Sequence, residues 1–440
     1  MVVAVVSELN PFHNGHAAIF RFAKNLAFSQ DGSPFASQDG STFASQDGAP
    51  FASPDAGNTV LAVMSGNYCQ RGEPALLDKW TRARVAINCG ADAVAEIPSV
   101  YSQQSAQFFA GAAIDIICKS GIVDAVVFGS ETGDLTALEN AATVKLSSFG
   151  SENIRLSQKN ASSYPRAIEA SLGTALSPND ILAVEYLCSL KRRNSHVRPV
   201  AFKRIGETDH NSISVPDGAI ASAAFIRNTV SRCTSTGCQE FDSLQKYMPE
   251  FAFKSLKAAI ENGTTVASIN SYSSLIIGKI RELGESGVEK LPFAGGGLAS
   301  KIYDECCRTS DVETVIRNCT GKAFTSSRIR RILLSVLTSA EASIFTENDY
   351  LANVPYIRLL AVRNGGNPPR DKAFLTALNR GSAVPVIAGN IPKTFETDFS
   401  APCASLLKKE ILATDLYVLG FRSAGSAAAH KEFTTPLIKG

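Results

Sequence analysis

Five short apolar runs punctuate the first two hundred or so residues: Val2–Val6, Thr59–Met64, Ala91–Ile97, Asp124–Phe128 and Val197–Phe202. Several are apolar at nearly every position, as a strand covered on both faces requires and a half-exposed antiparallel strand does not. Segments of helical period lie between them, at about 16–27, 78–89, 104–119, 179–192 and 219–232. This alternation predicts an α/β fold, a doubly wound parallel sheet with helices on both faces. Right-handed crossovers then put ligands beyond the C-terminal ends of the strands, near the point where strand order reverses.

The pattern changes near residue 235. Residues 1–235 are expected to form the sheet domain and 236–440 a mostly helical second domain, with Ser271–Ile280 and Arg328–Leu337 as its clearest segments. A mixed stretch follows through Pro355–Val362 and Val384–Ala388. Charge is uneven too. The 440-residue chain carries +2, yet residues 241–440 hold 24 Lys and Arg against 19 Asp and Glu, leaving the first 240 residues at −3. A near-neutral total therefore does not exclude a polyanionic partner, because the positive excess sits in one half. No run approaches the roughly 20 apolar residues that cross a bilayer, and no basic segment precedes the N-terminal apolar run. A cytoplasmic protein without membrane association is expected.

Residues 28–58 contain an octapeptide repeat, its copies starting at Phe35, Phe43 and Phe51, with Asp-Gly in most of them. Too short and polar to build a core, it predicts a duplicated loop, which slowly growing loop-closure entropy tolerates. The ten cysteines are scattered, and Cys233 and Cys238 lack a second pair at metal-site spacing. Free buried thiols and no metal site are expected.

Chemistry concentrates in Asn10-Pro11-Phe12-His13-Asn14-Gly15-His16, directly after the first strand and at the opening of a helix. Gly15 lets backbone approach a phosphate closely, first-turn N–H groups face the anion, and both imidazoles can donate to phosphate oxygens. Such donors stabilise charge building on an α-phosphate and on departing pyrophosphate. A second block follows the second strand and contains Arg71, Glu73, Asp78, Lys79 and Arg82. Arg71, Lys79 and Arg82 are candidates for phosphate or RNA contact, equally well explained by local ion pairs. Gly129 ends the fourth strand at the same edge, where it would admit an adenine or ribose. Lys322, Arg328, Arg330 and Arg331 cluster ahead of an apolar helix, with Arg358, Arg363, Arg370 and Lys372 beyond. They offer either a phosphate-tracking surface or solvated helix faces.

The His-x-Gly-His loop resembles that of the nucleotidyltransferase superfamily containing class I aminoacyl-tRNA synthetases and small adenylyltransferases, with its Rossmann-like fold. Taken with Met64–Pro74, Asp78-Lys79-Trp80, Glu96-Ile97-Pro98, Phe128-Gly129-Ser130-Glu131, Ser177-Pro178-Asn179, Lys203-Arg204-Ile205-Gly206 and Ser222–Arg227, the chain resembles one family, the tRNA(Met) cytidine acetate ligases. The resemblance implies that ATP, accompanied by Mg2+, adenylates acetate to acetyl-AMP. The acetyl group then passes to the exocyclic amine of the wobble cytidine of elongator tRNA(Met), giving N4-acetylcytidine. It implies His13 and His16 as catalytic residues. Its ATP site is carried onto Val6, Ser7, Glu8, Leu9, Asn10, Pro11, Phe12, His13, Asn14, Gly15, His16, Ala17, Ala18 and Ile19, with Gly129, Asn179 and Arg204. Arg227 joins the candidate phosphate or RNA contacts. Ala224 and Phe225 stand where related chains keep a hydroxyl, and Asn179 reads equally as a helix N-cap. Two rivals stay open on residues alone: an adenylyltransferase for a small phosphate ester, and an RNA-binding protein without catalysis.

Overall fold

The computed structural model describes residues 1–29, 34–36, 57–148, 176–204, 220–233, 238–345, 352–365 and 370–440. Every expected strand of the first half forms. Strands β1 (Val2–Val6), β2 (Leu26–Phe28), β3 (Pro34–Ala36), β4 (Thr59–Ser65), β5 (Tyr68–Cys69), β6 (Glu73–Pro74), β7 (Ala93–Ile97), β8 (Ala125–Ser130) and β9 (Arg198–Lys203) precede residue 235. β10 (Ile357–Val362), β11 (Val386–Ala388) and β12 (Ile438–Lys439) follow it. The main sheet runs β11-β10-β7-β4-β1-β8-β9, with β12 also on β10. From β7 to β9 every pairing is parallel, whereas β10 lies antiparallel to β7.

Strand order reverses at β1, whose neighbours are β4 and β8. The apolar runs are continuous because both faces are covered. Ala4, Val6, Val63 and Val126 point into one core beneath the helices Ala106–Ser120 and Pro178–Arg192. Val3, Val5, Ala62 and Val127 point into the other, beneath α1 (Asn14–Asn25) and α2 (Lys79–Asn88). This is the expected doubly wound arrangement.

Strands from beyond residue 235 join the main sheet. Helices Ser273–Val288, Leu298–Arg308, Val312–Cys319 and Ser326–Thr338 gather round their own core, into which β5 inserts Tyr68. From Ile357 the chain then returns to the first core. Ile357–Val362 is buried at every residue, so its peptide groups need ladder partners, and it finds them on Ala93–Glu96. Part of the 28–58 insert is described: β3 pairs with β2, Ala27 opposite Phe35, while the copies from Phe43 and Phe51 lie outside the described residues. Cys233 and Cys238 are joined as a disulfide rather than free, because the end of one helix and the N-cap of the next bring their Cα atoms to 6.4 Å. No helix among the described residues is long and apolar enough to cross a membrane.

Candidate functional site at the switch-point edge

β1 ends at Val6, and the loop behind it is held from several sides. Asn10 Oδ1 accepts from the Leu76 N–H at 2.8 Å, and Arg227 Nη1 donates to the Asn10 carbonyl at 2.7 Å. Phe12 is buried, its ring 5.5 Å from Phe20 and 5.4 Å from His16. Val6, Leu9, Pro11, Ala17, Ala18 and Ile19 are buried as well. Their side chains pack the loop against the sheet and α1.

His13 is the N-cap of α1. Its Nδ1 accepts from the Gly15 N–H at 3.0 Å, and the His16 Nδ1 accepts from the His13 N–H at 3.2 Å, closing a capping box made of two imidazoles. Gly15 is demanded by this contact, since a Cβ there would stand 2.8 Å from His13 Cε1. With both Nδ1 atoms occupied as acceptors, each neutral ring carries its proton on Nε2. Burial, then the Arg204 and Arg227 charges, hold His13 down to about 3. Burial, His13 and Arg204 keep His16 well below its ordinary range. The pair, with ring centroids 3.8 Å apart, is therefore two neutral N–H donors at a helix N-terminus.

Around them stand Gly129, Arg204, Arg227 and Glu8. A Cβ on Gly129 would lie 3.6 Å from the Arg204 stem, an ordinary contact, so packing alone does not demand glycine there. Asn179 is not an N-cap. Ser177 holds that position, and Asn179 Nδ2 donates to Glu131 Oε1 at 2.6 Å. Glu131 also takes the Asp180 N–H and the Ser177 hydroxyl, fastening the end of β8 to the helix Pro178–Arg192. That role could not be read from the isolated Gly-Ser-Glu. Ser222 caps the helix Ala223–Arg232, and Phe225 packs on Tyr247 at 5.7 Å.

Several cations of the sequence reading have internal partners. Lys79 is fully buried among Glu96, Glu410 and Glu432, so it cannot meet phosphate or RNA. Arg82 is equally buried and donates to the carbonyls of Leu77, Glu8, Ser65 and Gly66. Arg358 pairs with Glu432 inside the protein, and Arg363 grips Ala91 and Asp92. On the helix Ser326–Thr338, Arg330 donates two hydrogen bonds to the Glu313 carboxylate, and Arg328 donates to the carbonyls of Phe293 and Gly295. Arg331 donates to the Gln70 carbonyl at 2.9 Å, while Arg71 and Lys322 are exposed.

This geometry defines a class. Residues 54–432 match the family model described as HIGH Nucleotidyl Transferase. A tRNA(Met) cytidine acetate ligase of a Thermoanaerobacter species is 30% identical over 450 residues, covering 100% of this chain and 99% of its own. The enzyme of that name from Acetivibrio thermocellus is 30% identical over 457 residues, covering 99% of each. The chain belongs to the tRNA(Met) cytidine acetate ligase family. Two solved structures of Thermotoga maritima TmcAL have the same fold. The apo form superposes with a TM-score of 0.82 at 26% identity over 100% of both chains. The form bound with alpha-thio ATP gives 0.80 at 24% identity, covering 100% of this chain and 99% of that one.

Proposed function

We propose that the protein is an ATP-dependent ligase that acetylates the wobble cytidine of elongator tRNA(Met), working in the cytoplasm. The observation that carries this reading is the pair of neutral imidazoles whose Nε2–H ends are left for an anion at the N-terminus of α1. An acetate oxygen attacks the α-phosphate of ATP in line, the bond to the bridging oxygen breaks, and pyrophosphate leaves. His13 and His16 donate to the phosphate oxygens, while Arg204 and Arg227 oppose their charge. No covalent enzyme intermediate is needed, so the work is positioning and charge stabilisation.

The second step forms the N4–acetyl bond and releases AMP. A wobble base sits in a single-stranded loop, where it can be splayed out without melting a duplex. Mg2+ enters as the counter-ion of the triphosphate. Bound there, it would screen the charge of the phosphates. Nothing in the site favours a phosphate-ester acceptor.

The test combines the protein, ATP, labelled acetate and unmodified elongator tRNA(Met), followed by nuclease digestion. Label in N4-acetylcytidine is the expected result. Pyrophosphate exchange that depends on a phosphate ester instead of acetate would replace this reading.

A further inference from the structure

Transfer to the cytidine amine poses a problem that adenylation does not: the amine must lose a proton as the new bond forms. Most titratable groups at this edge cannot take it. Both histidines carry their proton on Nε2 and have Nδ1 occupied by backbone N–H groups. Cys69 is buried beneath the loop with its thiol pushed up to about 12, and Tyr186, behind β8, is driven higher still. Glu73 is a third exposed and pairs with Arg227 at 3.5 Å.

Glu8 differs from all of these. It stands two residues past the end of β1, and its Oε1 accepts from the Gln70 N–H at 2.6 Å. That contact turns it toward the β4 side of the switch point. His13, Gly129 and Arg204 occupy the β1, β8 and β9 side. Arg227 joins the two: its charge acts on both Glu8 and His13. Arg331 on the helix Ser326–Thr338 donates to the carbonyl of the same Gln70, bringing that helix onto the Glu8 side.

We infer that Glu8 is the general base of the acetyl-transfer step, placed between the His-x-Gly-His loop and the helix Ser326–Thr338. This rests on the function proposed above. In the step, the N4 lone pair attacks the acetyl carbonyl carbon of acetyl-AMP and the carbon–oxygen bond to the phosphate breaks. AMP leaves with that electron pair, and one amine proton passes to a Glu8 carboxylate oxygen, then to solvent. Every group facing Glu8 bears on its titration: Arg71 from the β5–β6 turn, Arg82 from α2, Arg227 from the helix Ala223–Arg232, Arg331, Cys69 and Tyr186. Burial raises its carboxyl above the ordinary range against the pull of Arg227, Arg71 and Arg82. This moves it toward the strength of base that works near neutrality.

The experiment compares the wild-type chain with Glu8→Gln, which keeps the acceptor for Gln70 but removes the proton acceptor. Acetate-dependent ATP–pyrophosphate exchange and single-turnover transfer to unmodified elongator tRNA(Met) are measured separately from pH 5 to 8. Transfer should fall by about 10²-fold or more, by a far larger factor than exchange, and its acid limb should disappear. Glu8→Asp should recover part of the rate and keep an acid limb, and Glu73→Gln should transfer near the wild-type rate. Equal losses in both half-reactions would make Glu8 a support of the ATP loop and overturn the proposal, as would undiminished transfer by Glu8→Gln. Wild-type protein that exchanges without transferring would strike the functional reading as well.

Discussion

Two clusters of charge lie at the C-terminal ends of the same parallel strands, and they are opposite in kind. At the end of β7, Lys79 sits fully buried against Glu96 at 2.6 Å and Glu410 at 3.3 Å, with Glu432 and Arg358 completing the group. Its charges are spent on one another. At the end of β1, the histidines use their Nδ1 atoms on backbone, and among the described residues no hydrogen bond occupies their Nε2 donors. The first cluster joins α2 and β7 to the helix Ala401–Tyr417 and the segment Lys431–Thr434, which arrive from the far end of the chain. It is a structural clamp, whereas the second keeps hydrogen-bonding capacity for a ligand. Proximity to the ligand edge is thus no guide to ligand contact; what matters is whether each donor already has an internal partner.

Removing one member of the clamp should have the largest effect. Lys79→Met leaves three buried carboxylates without their central cation and should cost about 3–5 kcal/mol of stability by denaturant unfolding. Adding Glu96→Gln to that variant should restore part of the loss. A Lys79→Met protein as stable as wild type would dissolve the distinction between the clusters. His16→Ala should act in the reverse manner. Acetate-dependent exchange should fall by about 10²–10³-fold, with tRNA affinity largely intact and a stability loss near 1 kcal/mol from the broken capping box. Retained exchange would remove His16 from its assigned role.

The smallest effect concerns pH. With His13 held down to about 3 in the native protein and near 6.5 when unfolded, the unfolded chain binds the extra proton first as pH falls. The contribution is complete above pH 6.5 and is lost progressively toward pH 3. Unfolding at pH 7 and 4.5 should show a larger stability loss in wild type than in His13→Asn. Equal losses would mean that His13 is solvated and titrates normally.

The five first-half strands, the helices between them and the His-x-Gly-His loop were legible because each has a local cause. Strands buried on both faces need unbroken apolar runs, and Gly15 answers a contact two residues away in the chain. The return of Ile357–Val362 to the sheet was not legible. Its apolar run fits a strand in either half, and only the open edge of β7 decided which. The choice between ligand contact and internal pairing for Lys79, Arg82 and Arg358 was not legible for a related reason: a cation's sequence neighbours do not reveal which carboxylates or carbonyls, three hundred residues away in some cases, will surround it.

The sequence by itself determined the class of fold, the His-x-Gly-His loop at a helix N-terminus and the family, since all three depend on short-range patterns of residue type and spacing. Only the tertiary structure decided which charges were left for a ligand. Burial and pairing are properties of distant segments brought together: Glu432 neutralises Lys79 across more than three hundred residues, while Gln70 and Arg227 converge on the loop that holds Glu8 and His13.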